Sequence, residues 1–315
     1  MISRRRFVAT LGALATARLP FRRPGKSAFT VSVLTDEITQ DLGRACEIAA
    51  REFGLGYVEL RAAHDKNIMS WDEADVAAAQ RILKRYDLRV SELASPIFKV
   101  DWPGAPKSRF SPSGPQFGAD FTYAQQDELI ERAAALAHTF HTPYIRIFDF
   151  WRLDDQAPYR AAIDDRLRQA AIKAGKLGVT LNVENEAACN TATGAEAGRL
   201  LAGVTETSLM LNWDPGNARA GGETPYPDGY AQLPRGRIAH VHCKDAVTKP
   251  DGSTAWAAMG TGEIGWAGQF RALKRDGYRG ALSLETHWRG AGLSAEESSR
   301  RSMAGMKELL RKAET

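Results

Sequence analysis

The chain has 315 residues, 43% of them hydrophobic and 25% charged, with a formal charge of +4. That length admits one large α/β barrel or two smaller domains, with enough apolar surface for a sizeable core. Residues 1–17 carry three arginines and no acid, so without them the charge falls to +1, which argues against a nucleic-acid-binding surface.

In chain order, the first stretch is expected to lie outside the fold. Met1 to Ala17 has a basic start, a short apolar run and an Ala15-Thr16-Ala17 end suited to signal peptidase. Ser3-Arg4-Arg5-Arg6-Phe7 resembles a twin-arginine signal, implying the twin-arginine (Tat) export machinery as a partner and a periplasmic or otherwise exported product. The apolar run is too short for a stable membrane span. Residues 18–28, with Arg22-Arg23-Pro24-Gly25, read as a linker, and 29–315 as one catalytic domain. Cys46, Cys189 and Cys243 are odd in number and widely spaced, which does not make a disulfide framework.

From Phe29 onward, short apolar runs alternate with helical patterns. Strands are expected at Phe29–Thr35, Tyr57–Arg61, Val90–Ser95 and Tyr144–Phe150, then at Val179–Glu184, Leu209–Asp214, Ile238–Asp245 and Ala281–Glu285. Helices are expected at Leu42–Phe53, from Ser70 (with Glu73 completing a capping box), at Tyr123–His138, around Ile163–Ala174 and at Gly194–Ala202. Two more are marked by Trp266, Phe270 and Leu273, and by Ser294 with Glu297, the last running to about Lys312. Pro96–Thr122 is a long Pro- and Gly-rich segment of the kind that partly covers a site, and Pro215–Arg235 leaves helix six short or irregular. Eight β/α units without a break predict a closed (β/α)8 TIM barrel.

The last four strands each end in one metal-competent side chain: Glu184, Asp214, His242 and Glu285. Strand alternation puts Asn182 with Glu184, Asn212 with Asp214, His240 with His242 and Ser283 with Glu285. C-terminal strand ends surround the active site of such barrels, so consecutive strands can converge four ligands on one ion. Three carboxylates and an imidazole suit one divalent metal, Mn²⁺ first, with Mg²⁺, Co²⁺ or Zn²⁺ as alternatives. That ion would polarise a carbonyl and stabilise an enediolate, while Glu184 and Glu285 remove and return a proton. His240 lies deeper, as a substrate contact or a hydrogen-bonded core histidine. Lys244 reads equally as a substrate contact or an ion-pair partner, and only one of Arg146 and Asp149 can face the pocket. Cys243 faces away from His242.

At these residues the chain resembles the sugar phosphate isomerase/epimerase family, with its xylose isomerase-like barrel. The resemblance rests on Tyr57-Val-Glu-Leu60, Asn182-Val-Glu184-Asn185, Asn212-Trp-Asp214-Pro-Gly-Asn217, His240-Val-His242-Cys-Lys-Asp245, Gly260-Thr-Gly-Glu-Ile264, Gly277-Tyr-Arg-Gly280 and Leu282-Ser-Leu-Glu285. It implies Glu184, Asp214, His242 and Glu285 as metal ligands, with the two glutamates doubling as acid/base groups; Asn217 joins Lys244 and His240 as a candidate substrate contact. The ketohexose 3-epimerase branch carries Glu, His and Arg where this chain has Asn190, Asn217 and Thr248. The function expected is a metal-dependent isomerase or epimerase of a non-phosphorylated sugar or keto-sugar. The alternatives are a lyase or dehydratase on a keto-sugar or inosose, and a non-catalytic periplasmic sugar-binding barrel. The small-molecule partner is a carbohydrate, no nucleic acid is expected, and a homo-oligomer is left open.

Overall fold

The computed structural model describes residues 29–114 and 121–314. The expected signal, the linker and residues 115–120 of the long segment lie outside them. Eight parallel strands, among the described residues, form one sheet: β1 (Thr30–Val33), β2 (Tyr57–Leu60), β3 (Arg89–Ala94), β4 (Tyr144–Ile147), β5 (Thr180–Glu184), β6 (Leu209–Trp213), β7 (Ile238–Cys243) and β8 (Ala281–Leu284). Their order is β1-β8-β7-β6-β5-β4-β3-β2, and a parallel bridge from Leu34 to Glu59 joins the two ends. The result is the expected (β/α)8 barrel, nearly closed.

Each strand is followed by helix: α1 (Leu42–Glu47, extended by a wider turn over Ile48–Glu52), α2 (Glu73–Arg85), α3 (Gln126–Thr139), α4 (Arg160–Lys176), α5 (Gly194–Gly203), α6 (Pro215–Ala220), α7 (Trp266–Arg275) and α8 (Ala295–Glu314). The start of α2 differs from expectation. Trp71 is buried and extended, with its indole donating to the Lys66 carbonyl, so the chain cannot enter the helix at Ser70. The capping box forms instead between Asp72 and Asp75. The short α6 follows from sequence: Pro215 opens it and Asp214 caps it.

Strand alternation sorts the core. Leu181, Val183, Leu211, Trp213, Val241, Cys243, Leu282 and Leu284 belong to the hydrophobic core, as do Leu167, Leu200, Phe270, Leu273 and Met306 of the helices. Each such buried aliphatic or aromatic side chain contributes roughly 1.5–3 kcal/mol. The alternate positions Ser32, Ser91, Asn182, Asn212, His240 and Ser283 are buried and polar. The barrel interior here is therefore hydrophilic, where branched aliphatic layers are the common filling. After β7, which ends at Cys243 rather than at the expected Asp245, Asp245–Thr248 pairs antiparallel with Thr254–Ala257 as a two-stranded ribbon. The three cysteines are buried and free. No helix among the described residues is long and apolar enough to cross a membrane.

Candidate metal centre

The backbone delivers the four expected ligands to one place. Glu184 is the last residue of β5, Asp214 the N-cap of α6, and Glu285 the first residue past β8; His242 lies one residue before the end of β7. One donor atom from each lies within 4.8 Å of the others, and all four residues are buried. Asp214 is held from two sides. Its Oδ1 accepts from the Asn217 amide at 2.9 Å, and its own N–H donates to Asn185 Oδ1 at 2.8 Å. Asn185 Nδ2 in turn donates to the Asp214 carbonyl, clamping the ends of β5 and β6 together. Gly216 leaves room for Lys244: a Cβ there would lie 2.5 Å from Lys244 Cγ.

His242 Nδ1 faces three carboxylate oxygens: Glu184 Oε1 at 3.1 Å, Glu285 Oε2 at 3.4 Å and Asp214 Oδ2 at 3.7 Å. A single ring N–H can serve one of them. Asp214 Oδ2 has no well-formed hydrogen bond, although Lys244 Nζ stands 2.8 Å away. Three buried carboxylate oxygens around one ring nitrogen form a donor set that fits a hard divalent ion.

Cations hold the outer oxygens. Arg146 Nη1 donates to Glu184 Oε2 at 2.5 Å, and Arg61 Nη1 to Glu285 Oε1 at 3.1 Å. Lys244 Nζ lies 2.6 Å from Glu285 Oε2 and 5.2 Å from the Trp256 ring centroid. Arg61 also pairs with Asp36 and Glu37, and Glu37 with Arg289. His287, packed on Trp256, stands 3.9 Å from Glu285.

These neighbours set the protonation. Burial opposes ionisation of Glu184, but His242 and Arg146 outweigh it and hold its pKa well below the carboxylate range. Burial is likewise overcome at Glu285, by Lys244, His287 and His242. At Asp214 burial wins despite Lys244, with Glu184 and Glu285 adding repulsion, and the pKa rises to about 7. Burial pulls His242 down, yet Glu59, Glu184 and Glu285 carry it well above its usual value.

Of the expected substrate contacts, Lys244 and Asn217 lie among the ligands. Asn217 Nδ2 donates to Glu184 Oε1 at 3.1 Å. His240 lies one layer deeper, with Nε2 3.0 Å from Glu59 Oε2. Strand four presents Arg146 to the site. Asp149 instead faces Thr191 and Arg160. The positions that distinguish the ketohexose 3-epimerase branch are occupied differently. Asn190 is buried, accepting from the Leu153 amide and donating to the Asp149 carbonyl. Thr248 bonds Glu263 and Arg219 at the surface.

Sequence reasoning missed a second buried group, Glu59 and Glu92 with His240 and His242. Asn182 and Asn212 both donate to Glu92. Burial raises Glu92 to about 7, whereas His242 and His240 overcome burial at Glu59 and lower it. Glu59 shares strand parity with Arg61, which was a usable signal. Glu92 has none, because the β2–β3 register shifts between Val58 and Leu60.

Residues 48–309 match the family described as xylose isomerase-like TIM barrel. The chain belongs to this family. Among solved structures of xylose isomerase-like fold, the IOLI protein with a bound zinc atom superposes with a TM-score of 0.70 at 15% identity, covering 90% of this chain and 99% of that one. The probable 3-DHS dehydratase AsbF of Bacillus anthracis gives 0.65 at 21% identity, covering 89% and 98%. D-allulose 3-epimerase from Methylomonas sp., in complex with D-allulose, gives 0.62 at 18%, covering 90% and 97%. At these identities the likeness is one of fold. No curated protein matches the chain.

Proposed function

We propose that this barrel is a divalent-metal-dependent enzyme that isomerises or epimerises a sugar or keto-sugar by proton abstraction and an enediolate. The observation that carries the reading is the convergence of Glu184, Asp214, His242 and Glu285 within 4.8 Å, with the two glutamates on separate strands. A divalent ion, Mn²⁺ by preference, would supply Lewis acidity toward a substrate carbonyl. Arg146 and Arg61 orient the two glutamates, and His242 with Arg146 at Glu184 and Lys244 at Glu285 keep them ionised, so both stand as bases at neutral pH. The named neighbours support the substrate class, since one is an epimerase in complex with a ketohexose.

A second reading has its own observation. Asn190 and Thr248 are committed to protein contacts, so the polar groups that mark the ketohexose 3-epimerase branch are not offered to a substrate. That favours a lyase or dehydratase on a keto-sugar or inosose, which shares the first proton abstraction; the likeness to a probable dehydratase agrees with it. Export through the twin-arginine machinery to the periplasm is proposed from Ser3–Phe7 and Ala15–Ala17. Whether copies assemble does not enter either chemistry.

The test is metal content of the purified mature protein, beside Asp214→Ala, followed by incubation with keto-sugars in D₂O. One Mn-, Mg-, Co- or Zn-class ion per chain, lost in the variant, with deuterium entering next to a carbonyl, is the expected result. A protein with no bound metal and unchanged Asp214→Ala behaviour would leave a sugar-binding barrel as the better account.

A further inference from the structure

The layer beneath the candidate ligands is built to a pattern that ligation alone does not require. Two residues before Glu184, Asp214, His242 and Glu285 stand Asn182, Asn212, His240 and Ser283, all fully buried. Glu59, on the facing strand β2, reaches into this layer. Its Oε1 lies 3.0 Å from His242 Nε2, and its Oε2 lies 3.0 Å from His240 Nε2. A buried carboxylate without partner protons is strongly disfavoured, so both imidazoles present N–H at Nε2.

At His242 a competing arrangement can be weighed. Asn212 Nδ2 is also 3.1 Å from His242 Nε2. If the amide donated there, a bare nitrogen lone pair would face the Glu59 anion. The amide has another acceptor, Glu92 Oε2 at 3.2 Å. The proton therefore belongs on Nε2. In a neutral imidazole this leaves Nδ1 as the acceptor, and Nδ1 is the atom that faces Glu184, Asp214 and Glu285. A lone pair among three carboxylate oxygens is repelled by them: without metal a second ring proton on Nδ1 relieves this, and a divalent ion shared by the carboxylates relieves it by displacing that proton.

We propose that Glu59 is a positioning residue: through the His242 Nε2–H it fixes the tautomer and ring orientation that offer Nδ1 to a divalent ion. The bond from His240 holds the other Glu59 oxygen, so the carboxylate cannot swing away. Carboxylates behind ligating histidines act in this way in metal sites generally, and their loss weakens metal binding by about 10–100-fold. The inference rests on the metal-centre reading above.

The test uses the full mature chain stripped by chelator, with MnCl₂ titrated calorimetrically into wild type, Glu59→Gln, Glu59→Leu and His242→Ala. Glu59→Gln keeps one oxygen for the His242 proton and loses the charge, so a loss of roughly threefold to tenfold is expected. Glu59→Leu loses both, with about 10–100-fold weaker binding, and excess Mn²⁺ should restore its kcat while the binding constant stays shifted. Long-range ¹H–¹⁵N spectra of histidine-labelled wild type loaded with diamagnetic Mg²⁺, with His242 assigned by substitution, should show the Nε2–H tautomer. Wild-type affinity in both Glu59 variants, or an Nδ1–H tautomer in the Mg²⁺-loaded wild type, overturns the inference while leaving the metal centre intact. A wild type that binds no Mn²⁺ overturns the metal-centre reading and this one with it. Should Glu59→Leu fail to fold, Glu59→Gln and the wild-type spectrum still decide.

Discussion

Replacing Arg61 with methionine tests how far the buried charges depend on one another. The Arg61 side chain is 8% exposed and holds Asp36 Oδ2 at 2.8 Å, Glu37 Oε1 at 2.7 Å and Glu285 Oε1 at 3.1 Å. Methionine fills a similar apolar volume but supplies no charge. Glu37 would keep Arg289, and Glu285 would keep Lys244. Asp36 has no other salt-bridge partner among the described residues, and its Oδ1 already lacks a hydrogen bond. One carboxylate is thus orphaned outright and two are weakened. Breaking a buried pair from one side costs about 3–5 kcal/mol, and that is the destabilisation expected at pH 8. Burial already raises the Asp36 pKa against the pull of Arg61, and without Arg61 it must rise further. The folded variant then binds a proton more tightly than the unfolded chain, so its stability falls as pH rises and the penalty shrinks toward pH 5. Urea unfolding followed by circular dichroism at both pH values measures this. A penalty below about 1 kcal/mol at pH 8, or one independent of pH, would refute the reasoning.

Two further outcomes are expected. Glu92 has a folded-state pKa of about 7 against an ordinary 4.5, because burial disfavours its charge. Across that window the folded state holds the extra proton, so this group makes stability fall as pH rises, by up to about 3 kcal/mol; Glu92→Gln should remove that part of the slope in urea titrations at pH 5 and 7.5. Lys244 occupies Asp214 Oδ2 and Glu285 Oε2, two of the oxygens an ion would take. Lys244→Met should therefore bind Mn²⁺ roughly tenfold more tightly by calorimetry, equivalent to about 1.4 kcal/mol. Weaker binding in that variant would show instead that the ammonium organises the ligands.

The barrel and its four candidate ligands were legible because both rest on strand alternation. Leu181, Leu211, Val241 and Leu282 alternate with polar neighbours, and those neighbours end at Glu184, Asp214, His242 and Glu285. Parity also placed Cys243 outward and allowed only one of Arg146 and Asp149 into the site. What it could not reach were contacts between distant strands. Arg61 meets Glu285 from 224 positions away, and Glu59 meets His242 from 183. Nothing in a local pattern records such pairings. Glu92 was hidden for a different reason: the β2–β3 register shift breaks the alternation from which its direction would be read. The Asp245–Thr248 ribbon was hidden because its partner strand, Thr254–Ala257, is short and lies in a polar stretch.

The placement of these groups separates what is fixed in this fold from what is adjustable. All four candidate ligands stand on or immediately beyond barrel strands, and the layer below them is tied across the barrel by Glu59 and Glu92. Side chains mounted on strands and locked from beneath hold their geometry better than side chains on loops. In the proposed chemistry the first proton abstraction would need only those atoms, so it would be common to isomerase, epimerase and lyase. The fate of an enediolate would then depend on which group next reached which carbon. The side chains that stand over the candidate ligands from outside the strands are His287, beyond β8 and 3.9 Å from Glu285, and Trp256 on the ribbon, which packs on His287 and Lys244. Changing Trp256 should accordingly alter which substrates turn over while leaving Mn²⁺ affinity unchanged, whereas changing Glu59 should do the reverse.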